Sequence, residues 1–169
     1  LGGSEVQVYT TSNVNTDGSF VLGMDDKETD VVFYEKINDK LNFEIKEGVV
    51  NIYIYDNMEL TNQGMERSAI DIYEGAELNL YLENKAELIV NSGYGKKGDT
   101  ANGLGAKGGP GGYAGVHVPS TTTYDEEGNL IKTYATFNIF GDGTLIAYGG
   151  SAGAGGGAVS GNAGGGRRR

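Results

Sequence analysis

The side chains best placed to do chemistry together are two carboxylates and the only histidine of the chain. Glu44, Asp71 and His117 stand at equivalent positions in three similar short segments. Such a column could hold a hard or borderline cation, or exchange protons with a substrate. The alternative is a row of solvated polar residues on a sheet. The sequence favours this alternative, because it has no second histidine and no Gly-x-Ser-x-Gly, HExxH or EF-hand pattern. We predict no catalytic residue, metal ligand or cofactor; Ca²⁺ stays open, without a motif to hold it.

A second group of candidates is aromatic. Three similar apolar strands lead into Tyr55, Tyr81 and Phe140, which are predicted to form a column on the solvent side. The neighbouring predicted column holds Tyr53, Asn79 and Asn138. The aromatic column could stack on the sugar rings of a polysaccharide or pack against another domain. It could equally serve only to stabilise the sheet through cross-strand contacts.

A third group lies in the glycine-rich segment 91–113. Its candidates are Tyr94, Lys96, Lys97, Lys107 and Tyr113. Ammonium groups and tyrosine rings could bind an anionic sugar, and the alternative is a solvated glycine-rich loop. Residues 103–108 match the Gly-x-Gly-x-x-Gly dinucleotide fingerprint in spacing only. No helix follows and glycine recurs throughout, so nucleotide binding is not expected.

These candidates are positioned by an internal repeat. Segment 50–60 recurs near 76–88 and 135–145, which makes Val50, Ala76 and Ala135 equivalent. The first step is 26 residues, and the second is 59 because it contains insertions at 93–112 and 120–133. Apolar residues alternate within each copy, as in strands. Short strands separated by sharp turns can pair with their equivalents in the next copy and bury a continuous core. We therefore predict an all-β chain folded as a parallel β-helix, or β-solenoid.

The repeat divides the chain into three parts. About three regular coils are predicted over 43–148, after an irregular first coil or cap at 1–42 with short strands near 6–9, 19–22 and 31–34. A glycine-rich tail follows at 149–169, with ten glycines between 149 and 166. Its backbone either packs closely as extended segments or stays disordered. The chain opens on Leu1 and ends on three arginines, from which we expect a fragment or a processed product.

Composition limits the partners. The 169 residues carry a net charge of −10, and residues 1–100 hold 19 of the 23 acidic residues but only 8 of the 13 basic ones. An acidic surface repels nucleic acid and anionic membranes, so neither is an expected partner. No apolar run approaches the length of a membrane span, so membrane insertion is not expected either. The absence of cysteine excludes a disulfide framework and a thiolate nucleophile.

Several segments resemble glycine-rich β-helical regions of secreted bacterial surface proteins. They are the runs 69–80, 103–112, 114–119, 140–145 and 149–157, within a resemblance that spans about 43–166. Such proteins are often large, come from anaerobic Gram-positive bacteria, and in some cases carry the label of carbohydrate-binding domain. The resemblance implies a right-handed parallel β-helix, an extracellular or cell-surface location, and binding to cell-wall or plant polysaccharide. Pectate-lyase-like relatives use clustered aspartates for calcium and an arginine base. Here Arg67 is the only arginine before the final three, and no aspartate cluster falls in register, so lyase activity is not expected.

Two functions remain open at this point. The first is a non-catalytic surface module that binds polysaccharide, or serves adhesion, through the aromatic column and the Lys/Tyr loop. The second is a structural stalk, fibre or self-assembling filament subunit, whose partners are copies of itself or of its parent chain. The exposed aromatics and the basic loop favour the first function. The glycine-rich tail and the unusual ends favour the second.

Overall fold

The chain forms β-strands joined by turns. The computed structural model describes residues 6–8, 19–23, 28–33, 38–39, 42–61, 67–95 and 111–153, and within these ranges it contains no helix. In chain order the strands are β1 (Val6–Val8), β2 (Ser19–Leu22), β3 (Thr29–Phe33), β4 (Asn38–Asp39), β5 (Asn42–Ile45), β6 (Val49–Ile54), β7 (Met58–Thr61), β8 (Ile70–Ile72), β9 (Glu77–Leu82), β10 (Glu87–Asn91), β11 (Val116–His117), β12 (Ser120–Tyr124), β13 (Leu130–Tyr134), β14 (Thr136–Gly141) and β15 (Thr144–Tyr148). The prediction of an all-β chain is confirmed for the described residues.

Thirteen of these strands form three parallel sheets. Sheet 1 has the order β1-β3-β6-β9-β14, sheet 2 the order β11-β8-β5-β2, and sheet 3 the order β15-β10-β7-β4. Consecutive strands enter sheets 2, 1 and 3 in turn, which defines four units: β2-β3-β4, β5-β6-β7, β8-β9-β10 and β11-β14-β15. Each strand pairs in parallel with the equivalent strand of the adjacent unit. The predicted pairing between copies is therefore present in all three sheets.

The N-terminal region takes part in the same pairing. Unit 1 comes from the region predicted to be an irregular first coil or cap, yet its three strands extend sheets 2, 1 and 3 in order. Strand β1 continues sheet 1 by one further parallel strand. The described strands before residue 42 therefore lengthen the sheets.

The insertion predicted at 120–133 is an antiparallel hairpin. Strands β12 and β13 pair from Ser120 with Tyr134 to Tyr124 with Leu130, between the first and second strands of unit 4. In the connecting turn the Asp125 carboxylate accepts hydrogen bonds from the backbone N–H groups of Glu127 and Asn129. Every residue of β13 is exposed, so the hairpin projects from the units. Of the other insertion, at 93–112, residues 96–110 lie outside the described part of the chain.

The core lies between the three sheets and is made by alternate residues of their strands. Ile52 and Leu80 of sheet 1, Ile45 and Ile72 of sheet 2, and Leu60 and Leu88 of sheet 3 are fully buried. Burying one such side chain contributes about 1.5–3 kcal/mol. The same column positions are filled in successive units, so one apolar cluster runs through units 1 to 4.

The register of sheet 1 differs from the prediction by two residues between β6 and β9, and agrees with it between β9 and β14, where the step is 59 residues. Val50 pairs with Leu78, not with Ala76, and Leu78 pairs with Phe137. The step from β6 to β9 is thus 28 residues, although the preceding step from β5 to β8 is 27. The difference arises in the turn that contains Gly75, which is one residue longer than the turn that contains Gly48. A shift of two residues leaves every side chain on its predicted face, so the alternation could not reveal it.

Candidate functional surfaces

The outer face of sheet 1 carries a chain of asparagine amides, here called the amide ladder. Asn138 Nδ2 donates to Asn79 Oδ1 at 2.9 Å, and Asn79 Nδ2 donates to Asn51 Oδ1 at 3.0 Å. Asn51 Nδ2 in turn donates to the Asp30 carboxylate at 2.7 Å. Although these side chains point away from the core, Asn51 and Asn79 are only 5% and 9% exposed. The sequence prediction placed Tyr53 beside Asn79 and Asn138, and this is wrong because of the register shift.

Two residues further along the same strands, three rings form an aromatic stack. Tyr53 lies 4.5 Å from Tyr81 with 10° between the ring planes, and Tyr81 lies 4.9 Å from Phe140 with 21° between them. The predicted column began with Tyr55, but Tyr55 lies just past the end of β6. Burial raises the pKa of Tyr53, and the nearby Asp30 carboxylate adds to the rise.

The geometry of the aromatic stack determines which contacts it can offer. A sugar ring stacks on an aromatic face, and in this stack the facing sides of Tyr53, Tyr81 and Phe140 already cover one another. Phe140 belongs to β14, the last strand of sheet 1, and is 45% exposed. The stack therefore presents ring edges along its length, and its most exposed ring, Phe140, lies at the end formed by β14.

The base of the segment 91–113 is held by backbone hydrogen bonds. Tyr113 N donates to Gly93 O at 3.2 Å, and Gly150 N donates to Tyr113 O at 2.8 Å. This places the two predicted tyrosines on neighbouring stretches of chain, with Tyr94 44% exposed and Tyr113 partly buried. Lys96, Lys97 and Lys107 lie outside the described residues.

Glycine permits the close backbone approach in this region. A Cβ on Gly112 would collide with the carbonyl oxygen of Gly150, and a Cβ on Gly150 would collide with that of Gly93. Gly95 N also donates to Ser151 O at 2.9 Å. In the described part of the predicted tail, Gly150 and Ser151 thus pack against the backbone of residues 93–95 and of Gly112.

The predicted column of Glu44, Asp71 and His117 is present on sheet 2. Glu44 pairs with Asp71 in register, and Asp71 pairs with His117. His117 Nδ1 lies 2.7 Å from Asp71 Oδ1, and the imidazole is about half exposed. The column therefore contains one carboxylate–imidazole pair with a second carboxylate beside it.

That second carboxylate is engaged by cations. Glu44 lies 2.8 Å from Lys46 Nζ and 3.5 Å from Arg67 Nη1. Burial alone would raise the pKa of Glu44, but hydrogen bonds from Lys46 and Asn42, with the charges of Lys46 and Arg67, outweigh it and lower the pKa. Lys46 Nζ also lies 3.7 Å from the centre of the Tyr73 ring. Glu44, Lys46 and Arg67 thus form an ion-pair cluster, in which Arg67 links unit 2 to the start of unit 3.

Within the described ranges, no group of three or more His, Cys, Asp or Glu side chains is arranged to hold a metal ion. Nor does that part of the chain contain a helix long and apolar enough to span a bilayer. The sequence prediction placed Asn79 beside Asn138, but it missed Asn51, the hydrogen bonds of the amide ladder and the register between β6 and β9. An alignment of the tripeptides Asn51-Ile52-Tyr53, Asn79-Leu80-Tyr81 and Asn138-Ile139-Phe140 would have revealed both the ladder and the register.

Comparison of the chain with protein-family models, curated proteins and solved structures gave no match.

Proposed function

We propose that this chain is a structural segment of an extracellular surface protein, built as a right-handed parallel β-helix. The observation that carries the proposal is that four consecutive units place their strands in the same three parallel sheets, each strand beside its equivalent. Connections between parallel strands are right-handed in nearly all known cases, which supports the handedness. Stacking of units around one apolar cluster is the arrangement of solenoids, in which each unit contacts its neighbours.

The polar side chains of the described sheets also support a structural role. The amides of the ladder bond to one another, the three rings cover one another, and Glu44 is paired with Lys46 and Arg67. The amide ladder and the stacked rings join adjacent units, and Arg67, which lies between β7 and β8, reaches Glu44 of β5. A binding surface needs polar or aromatic groups left available for a ligand, whereas these groups stabilise the stack itself.

Mechanical unfolding tests this function. A solenoid pulled from its two ends should lose its units in steps, because each unit depends mainly on its neighbours. Equivalent positions are 21, 28 and 59 residues apart along sheet 1. At about 3.6 Å per residue, we expect gains in contour length of about 75, 100 and 210 Å in single-molecule force spectroscopy.

The hairpin provides the control for that experiment. Replacing residues 121–133 with a short flexible linker should shorten only the largest step, because the hairpin lies within the 59-residue interval. Extension of the whole chain in one event, or steps unrelated to these intervals, would refute a stack of separable units.

Polysaccharide binding is a second candidate function. The observation in its favour is the exposure of Tyr94 beside the backbone hydrogen bond between Tyr113 and Gly93. If this surface binds glycan, Tyr94→Ala should remove binding in a glycan array and in a pull-down with insoluble polysaccharide. Tyr124→Ala is the matched control, because Tyr124 is a more exposed tyrosine on the hairpin. Equal retention by both variants would count against this surface as the glycan site.

A further inference from the structure

The aromatic stack brings two phenol rings together. Tyr53 of β6 and Tyr81 of β9 are directly opposed on parallel strands, with 4.5 Å between the ring centres and 10° between the ring planes. Phe140 stacks on the other side of Tyr81 at 4.9 Å but has no hydroxyl group. The stack therefore contains one contact between two phenols, and this contact lies between units 2 and 3.

Both phenols are accessible from solvent. Tyr53 and Tyr81 are half-buried on the outer face of sheet 1, outside the apolar cluster. Tyr81 lies between two rings, whereas Tyr53 ends the stack and has Val32 of β3 beside it. Exposed side chains change rotamer within picoseconds to nanoseconds. Tyr53 can therefore tilt until the edge of its ring meets the edge of the Tyr81 ring.

We propose that Tyr53 and Tyr81 are a site of oxidative modification, at which a peroxide joins the two rings as dityrosine. Each phenol loses one electron and one proton, and the unpaired electron of the resulting radical is shared with the ring carbons beside the hydroxyl group, Cε1 and Cε2. The two radicals form one bond between a Cε atom of each ring. The two Cε–H protons are then lost while both phenolic oxygens regain a proton. Overall, two electrons and two protons leave the pair and reduce one hydrogen peroxide to two waters.

The arrangement of the rings favours this pair over other tyrosines. Coupling requires two radicals to meet, and groups held in contact react as if their concentration were far higher than in free solution. Tyr124, Tyr134 and Tyr148 are more exposed, at 70%, 58% and 55%. If exposure alone decided the product, these three tyrosines would couple, and they would do so between molecules. Geometry and exposure thus predict different products.

The cross-link would give the chain a covalent tie between adjacent units. The sequence contains no cysteine, so a disulfide cannot provide such a tie. The new bond would join equivalent positions of units 2 and 3, which are 28 residues apart. This inference stands on the contact between the rings and does not rest on the structural function proposed above.

Peptide mapping tests the proposal. Dilute protein is treated with hydrogen peroxide and a small haem peptide as catalyst, with N-acetyltyrosine treated alike to show that the oxidant is active. Trypsin cleaves after Lys46, Arg67 and Lys85, so the two tyrosines fall in separate peptides, 47–67 and 68–85. Mass spectrometry should find these peptides joined, with the loss of two hydrogen atoms. In urea the yield of the joined peptide should fall roughly tenfold or more, because the rings are no longer held together.

Matched variants identify the ring that reacts. Tyr53→Phe should remove the joined peptide, whereas Tyr55→Phe, which deletes a phenol from the same peptide, should retain it. Combining Tyr53→Phe with Phe140→Tyr keeps the number of tyrosines and moves the phenol to the other side of Tyr81. Peptide 68–85 should then be joined to peptide 133–167, a product that a folding defect could not create.

The opposite results would overturn the proposal. They are absence of the joined peptide from the folded wild type, an equal yield in urea, or equal losses in Tyr53→Phe and Tyr55→Phe. In force spectroscopy, the cross-linked chain should also be shorter by about 100 Å, because the 28 residues between the rings no longer extend. The peptide map does not depend on how the units unfold, so this proposal and the structural function can fail separately.

Discussion

At the scale of single residues, the units are joined by side chains that repeat the same contact from one strand to the next. An amide is suited to this because it both donates and accepts, so each asparagine can bond to the one before it and the one after it. The ladder ends on Asp30, whose carboxylate accepts from Asn51. A buried amide that loses its partner costs about 1–3 kcal/mol, so a ladder of this kind stabilises one register over others.

The ion pairs of Glu44 should make the stability of the fold depend on pH. The pKa of Glu44 is lower in the folded protein than the ordinary value of 4.5, so its ion pairs stabilise the fold above that pH and lose this effect as the pH falls through the folded pKa. We expect Glu44→Gln to have a lower Tm than the wild type at pH 7. The two Tm curves should converge below about pH 4.5, as measured by thermal melts from pH 7 to 3.

The control for this prediction is Glu126→Gln. Glu126 is an exposed carboxylate in the hairpin turn, remote in sequence from the ion-pair cluster. The Tm of Glu126→Gln should equal the Tm of the wild type at every pH. Parallel curves for wild type and Glu44→Gln down to pH 3 would contradict the assigned role of Glu44.

At the scale of elements, the turns decide which strands meet. Asn57 Oδ1 accepts from Glu87 N, and Asp142 Oδ1 accepts from Lys85 N, so side chains in the turns of one unit bind the backbone of the adjacent unit. Asn84 and Lys85 both have positive φ, the conformation of a tight turn of the I′ type. These contacts fix the corner between sheets 1 and 3.

The close backbone approach at Gly112 should contribute to the stability of the fold. Gly112→Ala should destabilise the fold by about 1–3 kcal/mol, because the new methyl group would meet the Gly150 carbonyl oxygen and separate the packed backbones. Chemical denaturation measures the change. Gly111→Ala is a matched control one residue away, where a Cβ would meet no atom within 4 Å. Equal stability of the two variants would show that the close approach is not required.

The strands also show how much of the fold could be predicted from the sequence. The column of Glu44, Asp71 and His117 was predicted correctly, because the segments that carry Glu44 and Asp71 lie before the turns at Gly48 and Gly75, whose lengths differ. Beyond these turns, alternation still placed the apolar residues inside but could not detect a shift of two residues. The predicted aromatic column therefore began with Tyr55, whereas Tyr53 is the residue that stacks on Tyr81. Asn51 was missing from the predicted column of Asn79 and Asn138, because the predicted register placed Tyr53 there.

At the scale of the whole molecule, stability should fall towards the end of the stack. Leu80 and Ile139 occupy the same column, but Leu80 is fully buried and Ile139 is half exposed. We expect Leu80→Ala to cost about 2–5 kcal/mol and Ile139→Ala less than about half as much, as measured by urea denaturation of dilute protein. Similar losses would show that unit 4 is covered as completely as unit 3.

The hairpin has a consequence for how such a molecule can change. Ala135 N donates to Pro119 O at 3.0 Å, so the chain leaves unit 4 and returns to it at nearly the same point. Whatever lies between those two residues can vary in length and composition while the strands on either side keep their partners. A permissive site of this kind can accept a grafted epitope while the scaffold beneath it stays constant.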